Sequence, residues 1–274
     1  MARTAKVGGT KKRVLDGLGI FALIVALLFY LVPFVLVILN SFKQKRDIIR
    51  NPFSLVTEKG MTFENYVTAF DKMDYLRSFG NSLFVTGLST LIVIILSAMC
   101  AYYIVRAKNK LANGFYSLMI ASMIIPFQAI MIPLVSIYGA QLGMMNHKGT
   151  LIFMHSGFVK SGVPIALEEA AYLDGCTKMQ TFFKIVFPLL KPTTSTLVIL
   201  NVLAFWNDYL LPSLVLGKKE LYTLPLSTYS FYGTYTADYG TIMAALVLTL
   251  APILILYLFL QKQIIDGVVT GAVK

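Results

Sequence analysis

An all-α, polytopic membrane helix bundle of six transmembrane helices is the fold class predicted for this chain, on three observations. Of its 274 residues 57% are hydrophobic and 14% charged, and the mean hydropathy of +0.73 lies far above that of a soluble domain. Uncharged apolar runs of ~20 residues recur, the length a helix needs to cross hydrocarbon while satisfying its own backbone. Lysine and arginine gather in short stretches between those runs, as they do at cytoplasmic membrane flanks.

Taken in order, the first span is Gly17 to Leu39. Arg3, Lys6, Lys11, Lys12 and Arg13 precede it with no acid before Asp16, which places the N-terminus in the cytoplasm. A signal peptide shares the basic start, but its apolar core runs only ~7 to 15 residues and ends at a small-residue cleavage site, and neither fits here. Lys43 to Arg77 mixes seven basic residues with five acids and forms the long external loop. The second span is Ser78 to Val105, and Arg106 to Lys110, with three basic residues and no acid, returns to the cytoplasm. Leu111 to Tyr138 is the third. Gly149 to Val159 is apolar for only 11 residues before Lys160, or 19 to Leu167 with that lysine included, so the fourth span is short or partial. Residues 160–191 then lie in the cytoplasm. Pro192 to Leu216, interrupted only by Asp208, is the fifth span and Tyr239 to Gln261 the sixth, leaving Lys262 to Lys274 inside. A five-span arrangement would strand one of these polar segments outside. Residues 1–274 read as a single transmembrane domain.

The net charge of +11 calls for no nucleic-acid partner, because much of it sits at predicted membrane flanks. Cys100, in the second span, and Cys176, in the cytoplasmic loop, fall in different compartments and read as free thiols without metal spacing. His147 and His155 have no third ligand nearby, so no metal site is assigned. Pro33, Pro126, Pro133 and Pro252 read as kinks in membrane helices or as hinge points, and the sequence does not separate the two.

The polar segment 160–191 carries the strongest functional signal. Pro164 can open a helix whose apolar and small surface, Ile165, Leu167, Ala170, Ala171 and Leu173, ends at Asp174-Gly175. Thr177 with Gln180 matches a capping box for a second helix carrying Phe182, Phe183, Ile185 and Val186 to Pro188, where the chain turns back into the membrane. Ala170 and Ala171 let another backbone approach, Gly175 permits a turn with positive φ, and Glu169 and Asp174 offer charge to a basic partner. A docking element and a surface hairpin with a solvated acidic face both satisfy that composition.

The order of residues goes further. Glu168-Glu169-Ala170-Ala171-Tyr172-Leu173-Asp174-Gly175-Cys176, with Ile185-Val186-Phe187-Pro188-Leu189-Leu190-Lys191-Pro192 downstream, closely resembles the EAA signature of membrane subunits in ATP-binding-cassette importers. Phe205-Trp206-Asn207-Asp208-Tyr209-Leu210-Leu211-Pro212, Tyr222-Thr223-Leu224-Pro225-Leu226 and the tail Gly267 to Lys274 resemble the carbohydrate-uptake branch, with its maltose-type permeases. The resemblance covers most of the chain. It implies the type I importer permease fold, in a multi-pass protein of a bacterial or archaeal cell membrane with both termini cytoplasmic. Glu169, Ala170, Ala171, Asp174 and Gly175, with Pro188 downstream, would form a coupling helix seated on an ATP-hydrolysing subunit. The implied partners are a second permease in a heterodimer, two copies of the ATPase, an extracytoplasmic sugar-binding protein and the lipid bilayer. ATP and magnesium would be used by the ATPase subunits alone, since this chain has no G-x-x-x-x-G-K-S/T phosphate loop and no cofactor of its own. It is therefore expected to be a transport subunit and not an enzyme.

One stretch departs from the family pattern. Relatives carry a complete span before the coupling loop, whereas Phe158 here runs almost directly into Val159-Lys160-Ser161-Gly162-Val163-Pro164, about half a helix short of the ~20 residues a span requires. Trp206, Asn207 and Asp208 sit near the outer end of the fifth span, where a charge is unusual and an aromatic anchor common; with Asn201 they either line the sugar pathway or form an interfacial anchor with a capped helix end. The tyrosines of the external loop 217–238 (Tyr222, Tyr229, Tyr232, Tyr235) either touch the binding protein or anchor at the membrane surface. Two other classes stand beside the sugar importer: an importer of the same superfamily carrying another solute, and an ion-coupled transporter or membrane enzyme. The sugar-type tail speaks against the first and the lack of ionisable residues in the centres of the spans against the second.

Overall fold

The computed structural model describes residues 10–55, 60–107, 109–155, 178–231 and 238–272, which form helices and no strand. The helices are α1 (Thr10–Ser41), α2 (Lys45–Arg50), α3 (Glu64–Lys72), α4 (Tyr75–Ala107), α5 (Lys110–Ile124), α6 (Phe127–Val135) and α7 (Lys148–His155). Beyond the 156–177 segment come α8 (Lys178–Thr181), α9 (Phe187–Leu189), α10 (Lys191–Trp206), α11 (Leu210–Val215), α12 (Leu224–Thr228) and α13 (Tyr239–Ala272). Three are long and apolar enough to cross a membrane, over Leu15–Ser41, Tyr75–Ile104 and Tyr239–Phe259, matching the first, second and sixth expected spans.

The third and fifth expected spans are not continuous helices. Leu111 to Tyr138 breaks at Ile125-Pro126, and the helical pieces on either side meet at 98°. The cause is local: a residue before proline is pushed out of the α region, and Ile125 is extended at φ −75°, ψ 117°. Pro126 then serves as the N-cap of α6. Pro192 to Leu216 likewise ends as a helix at Trp206 and resumes at Leu210. Asn207 and Asp208 offer the backbone short polar side chains in place of helix hydrogen bonds there. With two bent pairs, Lys110–Ser122 with Phe127–Gln141 and Met179–Leu189 with Thr194–Trp206, each taken as one span, the described residues hold up to five. The expected fourth span is represented by α7, eight residues and ~12 Å long at 1.5 Å per residue, while 156–167 lie outside the described residues.

The helix expected from Thr177 to Pro188 is described from Lys178 and turns two residues after Pro188, at Leu190 (φ −78°, ψ −1°). Pro188 cannot donate to the carbonyl four residues back, and the preceding Phe182–Val186 segment winds as a π turn that accommodates the loss. An 82° bend then separates this piece from α10.

The chain groups into two compact units. One comprises the described parts of 1–69 and 233–247. At its centre the ammonium of Lys43, fully buried, donates to the carbonyls of Asn51 (3.2 Å) and Pro52 (3.0 Å). Burial holds its pKa below the usual lysine range, opposed in part by Asp47. The amide of Asn65 donates to the carbonyls of Ser41 and Lys43, both at 2.8 Å, and Tyr66 meets Ser41 at 2.7 Å. The first turn of α13 joins this knot through Gly240, where an added Cβ would stand 2.6 Å from Asn65 Nδ2 and 2.8 Å from the Lys43 carbonyl.

The other unit holds the described parts of 70–232 and 248–274. Its axis is α4, whose buried stripe Ser78, Ser82, Thr86, Ser89, Val93, Ser97 and Ala101 recurs every three or four residues. Small side chains on one face allow close helix approach in a bilayer, where apolar bulk supplies no driving force. Against α4 pack α7, α10 and α12, and Val85 of α4, Leu151 and Met154 of α7, Leu211 and Val215 of α11 and Leu226 of α12 share one core.

Gly240→Ala is expected to lower stability by about 1–3 kcal/mol, because the methyl displaces an Asn65 amide that satisfies two carbonyls. Thermal unfolding of the detergent-purified protein measures it, and Asn65→Ala in the same background should add little, since both substitutions remove the same bonds.

Candidate substrate path and coupling site

Of the coupling residues, Glu169, Ala170, Ala171, Asp174 and Gly175 lie outside the described residues, and Pro188 is exposed on α9. The chain immediately downstream of the coupling segment is firmly held. Phe182, Val186 and Leu190 form a buried cluster with Ala98, Met99 and Tyr102 of α4 and with Phe187. The ring of Phe182 lies 5.5 Å from Tyr102 and edge-on to Phe183 at 4.9 Å. Tyr102 in turn carries the guanidinium of Arg106 over its face at 5.6 Å. The apolar residues of the 178–190 segment thus fasten it to the Ala98–Tyr102 end of α4.

Of the expected pathway residues, Trp206, Asn207 and Asp208 fall at the break between α10 and α11, while Asn201 lies earlier within α10. Trp206 is buried, its indole edge-on to Phe79 at 5.9 Å and its N–H directed at the carbonyl of Thr249 at 3.4 Å. Asn207 is exposed and returns its amide to the carbonyl of Leu203 at 2.9 Å. Asn201 does the same one helical register earlier, to Leu197 at 2.8 Å. Asp208 has left the helix, and one of its oxygens accepts from the backbone N–H of Leu211 at 3.3 Å, capping α11.

Two residues not assigned to this site belong beside it. His155, at the end of α7, places Nε2 3.0 Å from the second Asp208 oxygen and Nδ1 3.4 Å from the hydroxyl of Ser89. Its ring stacks on Phe205 at 4.4 Å with 15° between planes. The sequence raised His155 only in a metal pair with His147, and did not single out Ser89. The three-to-four spacing of small residues along α4 is the signal that marks Ser89 as interior.

The loop expected to be external is tied to α4. Asn81 donates to the carbonyls of Glu220 (3.0 Å) and Tyr222 (2.9 Å), and the Ser82 hydroxyl accepts from Leu224 N–H at 2.8 Å. Tyr229 stands exposed with its ring 5.4 Å from Tyr209, while Tyr232 and Tyr235 lie outside the described residues.

A helical bundle with a polar break between α10 and α11 invites comparison with known transport proteins. Residues 91–269 match the family of binding-protein-dependent transport system inner membrane components. The chain belongs to that family. Among its relatives it is 38% identical to the "Probable starch degradation products transport system permease protein AmyC" of Thermoanaerobacterium thermosulfurigenes, over 92% of this chain and 94% of that one. It is 38% identical to the multiple sugar-binding transport system permease protein MsmG of Streptococcus mutans, over 89% and 92%. To the melibiose/raffinose/stachyose import permease protein MelC of Bacillus subtilis the identity is 33%, over 89% and 92%. The fold matches a chain of a bacterial ATP-binding-cassette transporter that imports the acidic polysaccharide alginate, with a TM-score of 0.78 at 19% identity, covering 94% of this chain and 99% of that one. The family match begins inside α4 and runs through α13, so it contains the coupling segment and the helix break, and it makes the chain an integral membrane transport subunit.

Phe182→Ala should cost about 3–5 kcal/mol, as for other buried aromatics cut to alanine. Thermal unfolding monitored by the chain's one tryptophan, Trp206, reads the loss.

Proposed function

We propose that this chain is one half of a heterodimeric sugar-import channel, driven by two copies of a separate ATPase and fed by an extracytoplasmic sugar-binding protein. The observation that carries the reading is that relatives matched over about nine tenths of both chains are named for the transport of starch products, of multiple sugars and of raffinose-type oligosaccharides. The basic N-terminal residues and the charge of the 106–110 loop support cytoplasmic termini.

The work asked of such a subunit is mechanical. Residues 169–175 dock on the ATPase; when two ATPase subunits close on ATP, the docked segment moves, and the Phe182 cluster delivers that movement to α4. A helix of 33 residues is ~50 Å long and stiff enough to carry displacement from the coupling side to the loop that Asn81 and Ser82 hold. Coupling of this kind needs a helix that moves as a body and a packed contact that does not slip.

Purification of the tagged chain in mild detergent, with mass spectrometry of its companions, tests the assembly. A second permease and an ATPase are expected, whereas a stable chain recovered alone would favour an ion-coupled transporter. Within the assembled complex, Gly175→Trp should leave insertion intact and abolish sugar uptake while ATP hydrolysis continues. Normal uptake by this variant, measured in vesicles, would remove the docking role from residues 169–175.

A further inference from the structure

Asp208 uses one carboxylate for two attachments. Its Oδ1 caps α11 through Leu211 N–H at 3.3 Å, and its Oδ2 lies 3.0 Å from His155 Nε2. A carboxylate only accepts, so His155 presents Nε2–H to it, and its Nδ1 lies 3.4 Å from the Ser89 hydroxyl. The imidazole can turn little, because Phe205 lies parallel to it at 4.4 Å. Burial is graded along the row: Ser89 is 0% exposed and His155 3%, but the Asp208 side chain is 23% exposed. Only the last member meets the outside, and the two behind it face protein on every side.

We propose that His155 is the positioning residue of the sugar path: backed by Ser89, it orients the Asp208 carboxylate at the break between α10 and α11 for hydrogen bonding to a passing sugar hydroxyl. The inference rests on the reading of Asp208 as a pathway residue and adds what holds it there. Two carboxylate oxygens offer about four acceptor directions, of which Leu211 and His155 take two, leaving acceptor capacity on the exposed side. Sugars present rings of hydroxyl donors, and an ionised acceptor held in place binds them more strongly than a neutral or mobile one. Ser89 sits on α4, His155 ends α7 just before the 156–177 segment, and Asp208 divides the fifth span, so the row joins three elements at one point of the path.

The experiment uses the assembled importer in vesicles with its partner permease, ATPase and binding protein. The probe is labelled maltotriose or raffinose, whichever the wild type carries faster. His155→Leu should raise the uptake KM about tenfold, the equivalent of one oriented hydrogen bond of about 1.4 kcal/mol, with the KM for ATP unchanged. His155→Gln, which keeps an N–H donor, should stay within about threefold of wild type, and Ser89→Ala should fall between the two. Asp208→Asn should raise the KM at least as far as His155→Leu, and the double variant should be no worse than Asp208→Asn alone. If Asp208→Asn is impaired while His155→Leu behaves as wild type, or if the two losses add, positioning by His155 is overturned and the pathway role of Asp208 stands. If Asp208→Asn transports normally, the pathway reading itself falls. Should His155→Leu not assemble, Ser89→Ala decides, a loss that vanishes in the Asp208→Asn background supporting the proposal and an additive loss overturning it.

Discussion

Backbone groups that leave a helix inside hydrocarbon find no water, so a membrane chain can break only where it brings its own partners. Both breaks in this molecule meet that condition. At Ile125-Pro126 the proline has no N–H to lose, and its carbonyl accepts from Ala129 at 3.0 Å to begin the next helix. At Asn207 to Tyr209 the side chains supply what the backbone gives up. The Leu203 carbonyl receives both the backbone and the side-chain N–H of Asn207, at 3.2 and 2.9 Å, and Asp208 takes the N–H of Leu211. A polar pair at this point of an otherwise apolar run is thus demanded by the backbone before any ligand is considered. A group introduced to close a helix end and left partly exposed is also available to a polar solute.

Much of the second unit depends on the face that α4 turns inward. Serine, threonine and alanine at intervals of three and four bring neighbouring backbones close, and the same residues then act as hydrogen-bonding points because they are already at the contact. Ser82 holds Leu224, Ser89 holds His155, and Asn81 beside the stripe holds two loop carbonyls. Farther along, where the stripe ends at Ala101, packing passes to aromatic rings, Tyr102 against Phe182. One helix thereby meets the 220–224 loop, the His155 end of α7 and the Phe182 cluster in succession, with polar contacts toward one end and apolar ones toward the other.

The range of the forces that make these features decides how far they were legible in the sequence. Long apolar runs are a local property of composition, and Gly17 to Leu39, Ser78 to Val105 and Tyr239 to Gln261 each lie within one continuous helix. The family was legible too, because the EAA segment and the Phe205 to Pro212 stretch are contiguous in the chain. Continuity through Pro126 and Asp208 was misjudged, since hydropathy counts a proline or a lone acid as a minor interruption while the backbone treats it as an end. His155 and Ser89 were missed for a different reason. They lie 66 positions apart and meet only through packing, and a histidine on an apolar run gives no hint of its partner.

Burial separates the long helices by what stabilises them. In their most apolar stretches α4 is 39% buried within the chain, α13 28% and α1 not at all. Packing within the chain therefore cannot hold α1 as it holds α4; the bilayer does, by penalising any unpaired backbone group along its length. Such a helix is free to slide or tilt unless its end is tied, and mismatch with the bilayer costs only fractions of a kcal/mol per Å. The tie is the knot just past Ser41, where buried Lys43 and Asn65 satisfy carbonyls from α1, from the segment after α2 and from the turn between them. A cation in so dry a place is retained because removing it would orphan those carbonyls, and Gly240 is required because nothing larger fits against Asn65. The α1 span is thus anchored by hydrogen bonds at one end and left to lipid along the rest, whereas α4 is committed along its whole length to the bundle it organises.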